Sequence, residues 1–175
     1  AAPFGARIPG PGEARYRFPT PESLSGCGAR LASCRLGYRE RYVSETSAII
    51  AENPGILGRI SALRSHEARA ALLSLPGIGP KAADCVLLFG FHRLEAFPVD
   101  VWIRRIMYRH YLRPLSGSGV PSEKEDRRIR EFGRKYFGAY AGYAQEFLFC
   151  AREKLEGGRV RSPRPSSSGT RPGRP

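Results

Sequence analysis

The chain predicts an all-α fold, and three observations carry that prediction. Apolar residues recur at helical spacing in several segments, for example Ala68, Ala71, Leu72 and Leu75. Proline and glycine stand between these segments where helices start and stop. No segment shows a convincing strand alternation.

Residues 1–15 are rich in Gly, Pro and Ala and read as irregular or disordered. Thr20-Pro21-Glu22 predicts a helix start, with Thr20 as N-cap and Pro21 at the first helical position. That helix is expected to reach about Ser33, weakened by Gly26 and Gly28, before a turn over Cys34–Gly37. Tyr38–Glu52 reads as helix, with Tyr42, Thr46, Ile49 and Ile50 on one face and Asn53-Pro54-Gly55 ending it. A short segment over Ile56–Leu63 follows, and Ser65 is expected to cap the next helix.

The central stretch is Leu75-Pro76-Gly77-Ile78-Gly79-Pro80-Lys81-Ala82-Ala83-Asp84, which reads as helix, tight hairpin, helix. Pro76 cannot continue a helix, Gly77 tolerates a left-handed reversal, and Pro80 suits a new first turn. The helix from Pro80 carries Ala83, Val86, Leu87 and Phe91 and ends near Gly90. His92–Pro98 is an extended loop, and Asp100 caps a helix reaching Tyr111. Ser116–Gly119 is a flexible connection, and Ser122 with Glu125 forms a capping box. The last helix is expected over Ala141–Leu155. Residues 16–156 thus form one helical domain, and 157–175 a disordered basic tail.

The chain has 29 basic and 16 acidic residues, a net charge of +13. Setting aside Arg7 and the tail arginines at 159, 161, 164, 171 and 174 leaves +7 on residues 13–156. A polyanion partner, nucleic acid first among them, follows from that excess. No apolar run approaches the roughly 20 residues that span a bilayer, and the N-terminus has no signal-peptide order. The expectation is an intracellular monomer with no membrane partner: cytoplasm or nucleoid in a bacterium, nucleus in a eukaryote. Cysteines 27, 34, 85 and 150 lie too far apart for an iron–sulfur or zinc quartet, and no cofactor is expected.

Lys81 and Asp100 hold the candidate chemistry. A lysine in a first helical turn meets the positive end of the dipole, which disfavours its ammonium form, and partial burial would act the same way. A neutral amine attacks carbon and forms Schiff bases. An N-cap aspartate keeps its charge. These features allow two readings: a nucleophile with an electrostatic partner, or a phosphate-contact lysine beside an ordinary cap.

Three blocks resemble the helix–hairpin–helix DNA glycosylases, and among them the 8-oxoguanine DNA glycosylase/AP lyase family. Leu36–Ser44 resembles the family's strand-separating segment. Leu75–Cys85 with Pro98-Val99-Asp100-Val101 carries the family's catalytic pair, 19 residues apart. Tyr140–Gln145, followed by Phe149, resembles its base-pocket helix.

The resemblance implies an all-α glycosylase core over about residues 16–155 that excises 8-oxoguanine opposite cytosine from duplex DNA. It implies that Lys81 attacks C1′ and forms a Schiff base leading to β-elimination, while Asp100 steadies charge at the sugar. Tyr38 would fill the vacated stack and Arg39 would read the orphaned cytosine. Cys85, Pro98, Gln145 and Phe149 would form the lesion-base pocket around a flipped nucleotide. Gly77, Ile78 and Gly79 would bind a phosphate, with a monovalent cation on the carbonyls of Leu73, Leu75 and Ile78. Trp102 is assigned to the DNA-binding surface, where the eukaryotic branch has a histidine. The family also has a sheet-containing region ahead of this core, where this chain has Ala1–Ala14. The expectation is that this region is lacking.

Two alternatives stand beside this reading. One is a glycosylase for oxidised pyrimidines or alkylated bases; against its iron–sulfur form, only Cys150 lies near the C-terminus. The other is a truncated, non-catalytic helix–hairpin–helix DNA-binding protein.

Overall fold

Capping chemistry and left-handed glycines set the boundaries of the helices. The computed structural model describes residues 4–113 and 122–157. The expected flexible connection at Ser116–Gly119 and the basic tail from 158 onward lie outside the described residues. The chain divides at Pro98–Val99 into two compact units.

The first unit opens with a small antiparallel ribbon, β1 (Arg7–Ile8) on β2 (Arg15–Tyr16), with Arg7 opposite Tyr16. Two-residue strands are too short for an alternation signal, so the sequence shows nothing of them. Helix α1 (Pro21–Leu24) starts as expected: the Thr20 side chain accepts the Ser23 N–H and Pro21 opens the first turn. The single helix expected to Ser33 is broken. Gly26 adopts φ +67°, outside the right-handed region, and α2 (Gly28–Leu31) with a 3₁₀ turn over Ala32–Cys34 forms a separate piece anchored by buried Leu31.

Helix α3 (Arg39–Glu52) follows, then α4 (Ile56–Ala62) and α5 (Ser65–Leu73). Ser65 is not the cap of α5. Arg64 takes that position, and the Glu67 carboxylate accepts the Arg64 N–H at 3.1 Å. The Ser65 hydroxyl instead donates to Glu95, a partner 30 residues away that local pattern cannot reveal. The core of this unit gathers Ile60, Ala68, Leu72, Leu75, Ala83, Leu87, Leu88 and Ala96. Ala68, Leu72 and Leu75 form one stripe at helical spacing, and Ala83 with Leu87 another, so α5 and the segment after the hairpin pack their apolar faces together.

The hairpin joins α5 to α6 (Pro80–Cys85). Gly77 takes φ +74°, and Gly79 is extended, aiming the chain into Pro80. Beyond Cys85 the helix widens into π-type turns over Val86–Gly90, where the Phe91 N–H bonds to the Val86 carbonyl five residues back. The segment ends in buried Ala96, Phe97 and Pro98.

The second unit starts at Val99. Helix α7 (Val101–His110) buries Ile103, Ile106 and Met107. Helix α8 (Glu123–Phe137) is capped by Ser122, whose hydroxyl accepts the Glu125 N–H at 3.2 Å as expected. Arg104 of α7 and Asp126 of α8 form a two-pronged pair, with both N–O distances 2.8 Å. The hydrogen bond to Asp126 holds the Arg104 guanidinium above its usual pKa. Gly138, at φ +68°, ends α8, and a 3₁₀ turn over Gly138–Tyr140 leads into α9 (Ala141–Cys150). The expected single helix to Leu155 is two: α10 (Arg152–Gly157) follows a break at Ala151. The His110 ring hydrogen-bonds to the Leu155 carbonyl at 3.2 Å, tying α10 to α7.

Candidate active site

In the first unit, α6 is sided by its sequence. Ala83 and Asp84 are buried, while Lys81 is exposed. Among the described residues Lys81 makes no hydrogen bond or ion pair. Within this unit Lys81 is exposed rather than partly buried. Cys85, four residues on and on the same face, is half-buried.

Asp84 is fully buried and takes the Arg69 Nε at 2.7 Å, with a weaker second contact at 3.4 Å. Arg69 lies on α5, so this pair fastens the helix carrying Lys81 to the helix before the hairpin. A buried carboxylate is tolerated only when its charge is matched and hydrogen-bonded. Sequence reasoning missed the pair, since a separation of 15 residues leaves no local signal.

The hairpin presents Gly77, Ile78 and Gly79 ahead of α6. The Ile78 N–H is already bonded to the Leu75 carbonyl at 3.1 Å. It is therefore taken by the turn itself and not offered to a phosphate. Of the three carbonyls expected to hold a cation, that of Leu75 keeps one lone pair for a ligand.

Tyr38 and Arg39 stand at the start of α3, both exposed. The Arg39 guanidinium lies over the Tyr38 ring, 4.7 Å from its centroid. These two residues share a largely apolar cavity of about 380 Å³ with the hairpin's Pro76, Gly77 and Ile78. The structure thus brings the expected strand-separating and phosphate-binding segments together.

In the second unit, Asp100 caps α7, its Oδ1 accepting the Ile103 N–H at 2.8 Å. Trp102 is half-buried, with the Arg105 guanidinium 5.1 Å from its ring centroid. On α9, Gln145 and Phe149 lie one helical turn apart. Gln145 is only 4% exposed, and its Oε1 has no hydrogen-bond partner among the described residues. The Arg152 guanidinium sits 4.6 Å from the Phe149 ring centroid, and its Nη1 donates to the Phe149 carbonyl. An aromatic ring and, one turn away, a buried amide oxygen unpartnered among the described residues suit a flat heteroaromatic ligand. Pro98, the remaining expected pocket residue, is buried at the end of the first unit.

Comparison with known proteins bears on these positions. No family model matches the chain. A probable N-glycosylase/DNA lyase of Methanothermobacter thermautotrophicus is 40% identical over 158 residues, covering 79% of this chain and 48% of that protein. The Arabidopsis thaliana N-glycosylase/DNA lyase OGG1 is 34% identical over 141 residues, covering 78% of this chain and 38% of its own length. The Clostridium acetobutylicum 8-oxoguanine glycosylase/lyase, crystallised with duplex DNA holding cytosine opposite 8-oxoguanine, matches with a TM-score of 0.76 and 32% identity. That match covers 87% of this chain and 51% of the other. The chain is a homologue of these helix–hairpin–helix N-glycosylase/DNA lyases over about four fifths of its own length.

The chain spans about half or less of the length of these curated relatives. Among the described residues, no group of three His, Cys, Asp or Glu side chains could hold a metal ion. No described helix is long and apolar enough to cross a membrane.

Proposed function

We propose that this chain is a bifunctional DNA glycosylase/AP lyase that removes 8-oxoguanine opposite cytosine from duplex DNA. The observation that carries the reading is Lys81: an exposed amine, unpaired among the described residues, on a helix whose Ala83 and Asp84 are locked in the core. The 40% identity to a probable N-glycosylase/DNA lyase supports it.

The damaged nucleotide must leave the stack, because C1′ and the lesion face are hidden in a duplex. Tyr38 occupies the vacated position, and Arg39 offers its planar donors to the orphaned cytosine. Gln145 donates to and accepts from the flipped purine's Watson–Crick edge, and Phe149 stacks on its face. Trp102 faces the strand. The hairpin at Gly77 and Gly79 receives a strand phosphate.

Lys81 then gives up its ammonium proton to solvent and bonds through Nζ to C1′. The C1′–N9 bond breaks, and the base departs with the bonding electrons and takes up a proton. Asp100 stabilises the positive charge that builds at the sugar. Opening of the sugar ring leaves an iminium between Nζ and C1′. Loss of a C2′ proton then expels the 3′ phosphate, nicking the strand. Water later releases Lys81. No step requires a metal or an organic cofactor.

Borohydride trapping tests the proposal. The protein is incubated with an 8-oxoguanine:C duplex and reductant. A covalent adduct is expected, and it should vanish in Lys81→Gln, whose exposed site leaves folding intact. Binding with neither adduct nor nick in the unaltered chain would overturn the lyase reading. An adduct formed equally with alkylated-base duplexes would shift the specificity to that alternative.

A further inference from the structure

We propose that Thr46 and Tyr42 are positioning residues that clamp the DNA-reading end of α3 to the hairpin. The reader of the orphaned base and the strand anchor would then move as one body. The proposal rests on the roles assigned above to Tyr38, Arg39 and the hairpin.

Two independent contacts make the clamp. The Thr46 hydroxyl donates to the Pro76 carbonyl at 2.7 Å, across 30 residues. One turn earlier, the Gly77 backbone lies against the root of Tyr42: a Cβ on Gly77 would stand 2.4 Å from the Tyr42 Cβ and 2.6 Å from its Cγ. No side chain other than hydrogen fits there, and Gly77 also holds φ +74°. Thr46 has an easier partner available. A helical threonine commonly bonds the carbonyl four residues back. That it reaches the hairpin instead spends its single proton on the tie between the two elements.

Tyr38, Tyr42 and Thr46 recur every four residues and fall on one face of α3. That face lines the cavity shared with Pro76, Gly77 and Ile78. Ser47 is the one buried residue of α3, and Ile49 packs against the core from the same helix. Tyr38 lies eight residues from Thr46, about 12 Å along the axis. A tilt of about 10° at the clamp therefore shifts the reading end by about 2 Å, and a misplacement of about 1 Å is enough to degrade a reacting geometry. The clamp acts through Tyr38 and Arg39 rather than on DNA itself.

The test compares the 175-residue chain with Thr46→Val, Thr46→Ser and Gly77→Ala. Each is titrated onto duplexes holding a tetrahydrofuran abasic analogue opposite C or opposite A, and onto undamaged duplex. Thr46→Val should narrow the C-over-A affinity ratio about tenfold, the effect of one lost hydrogen bond. Its affinity for undamaged duplex, and the salt slope of that affinity, should stay as they were. Thr46→Ser keeps the donor and should keep the ratio. Gly77→Ala, loosening the clamp from the hairpin side, should narrow it as Thr46→Val does.

A Thr46→Val ratio equal to that of the unaltered chain overturns the proposal. So does a uniform fall on all three duplexes in step with the melting temperature, or a Thr46→Ser variant that behaves like Thr46→Val. If the unaltered chain itself fails to prefer abasic over undamaged duplex, the underlying DNA-reading assignment falls first. That outcome is visible before any variant is compared.

Discussion

Arg69 Nε lies 2.7 Å from Oδ1 of Asp84, a carboxylate with no exposure to solvent. Asp84 is three residues from Lys81 on α6, so the pair fastens the helix that carries the amine. Removing the Asp84 charge leaves the Arg69 guanidinium, only 18% exposed, without its carboxylate, which costs about 3 kcal/mol. Asp84→Asn should therefore lower urea stability by roughly that amount. Replacing both with apolar residues, as in Arg69→Met with Asp84→Leu, should recover much of the loss. A single variant within about 0.5 kcal/mol of the unaltered chain would show that the pair does not secure the helix.

Two left-handed glycines separate conformational strain from collision. Gly77 and Gly26 hold φ of +74° and +67°, where an alanine is strained at either position. An added Cβ meets nothing within 4 Å at Gly26 but lies 2.4 Å from the Tyr42 Cβ at Gly77. Gly77→Ala should thus be the more destabilising by about 1–3 kcal/mol, the cost of forcing atoms into a packed space. Equal losses in chemical denaturation would mean that the α3 backbone yields at Tyr42 without cost.

Asp100 combines a cap with a charge, and one substitution divides the two. Asparagine caps as well as aspartate, so Asp100→Asn should leave stability within about 0.5 kcal/mol. It removes the negative charge proposed to face the sugar, and adduct formation with the 8-oxoguanine:C duplex should slow roughly a hundredfold. An unchanged trapping rate would reduce Asp100 to a cap.

Gln145 is buried with its Oε1 unpartnered among the described residues. A group of this kind destabilises the free protein by about 1–3 kcal/mol. Gln145→Leu should leave the free chain as stable as before, or more so, while abolishing the preference for 8-oxoguanine duplex over undamaged DNA. Thermal melting and competition binding read the two effects separately. Lower stability together with retained lesion preference would contradict both halves of the argument.

Much of the architecture is legible in the chain because it rests on local rules. Thr20 with Pro21, Asp100 and Ser122 cap helices through hydrogen bonds spanning three residues, and each cap is where the spacing predicts it. The stripe Ala68, Leu72, Leu75 is written at the period of the helix that buries it. Local rules fail where a distant partner decides. Ser65 looks like a cap but bonds Glu95, and Gly26 looks tolerable in a helix but takes a left-handed conformation that ends it. The ribbon at Arg7–Ile8 is too short to leave a period at all.

The hairpin and its lysine were determined by sequence alone. Pro76, Gly77 and Pro80 dictate a reversal and a new helix start through the φ values they permit, and Lys81 follows by position. Tertiary structure decided which way that lysine faces and what holds it there. Asp84 is buried because Arg69, 15 residues earlier, reaches it, and Gly77 has no side chain because Tyr42 fills the space. Both depend on distances between segments remote in the chain, and packing sets those distances where no local pattern records them.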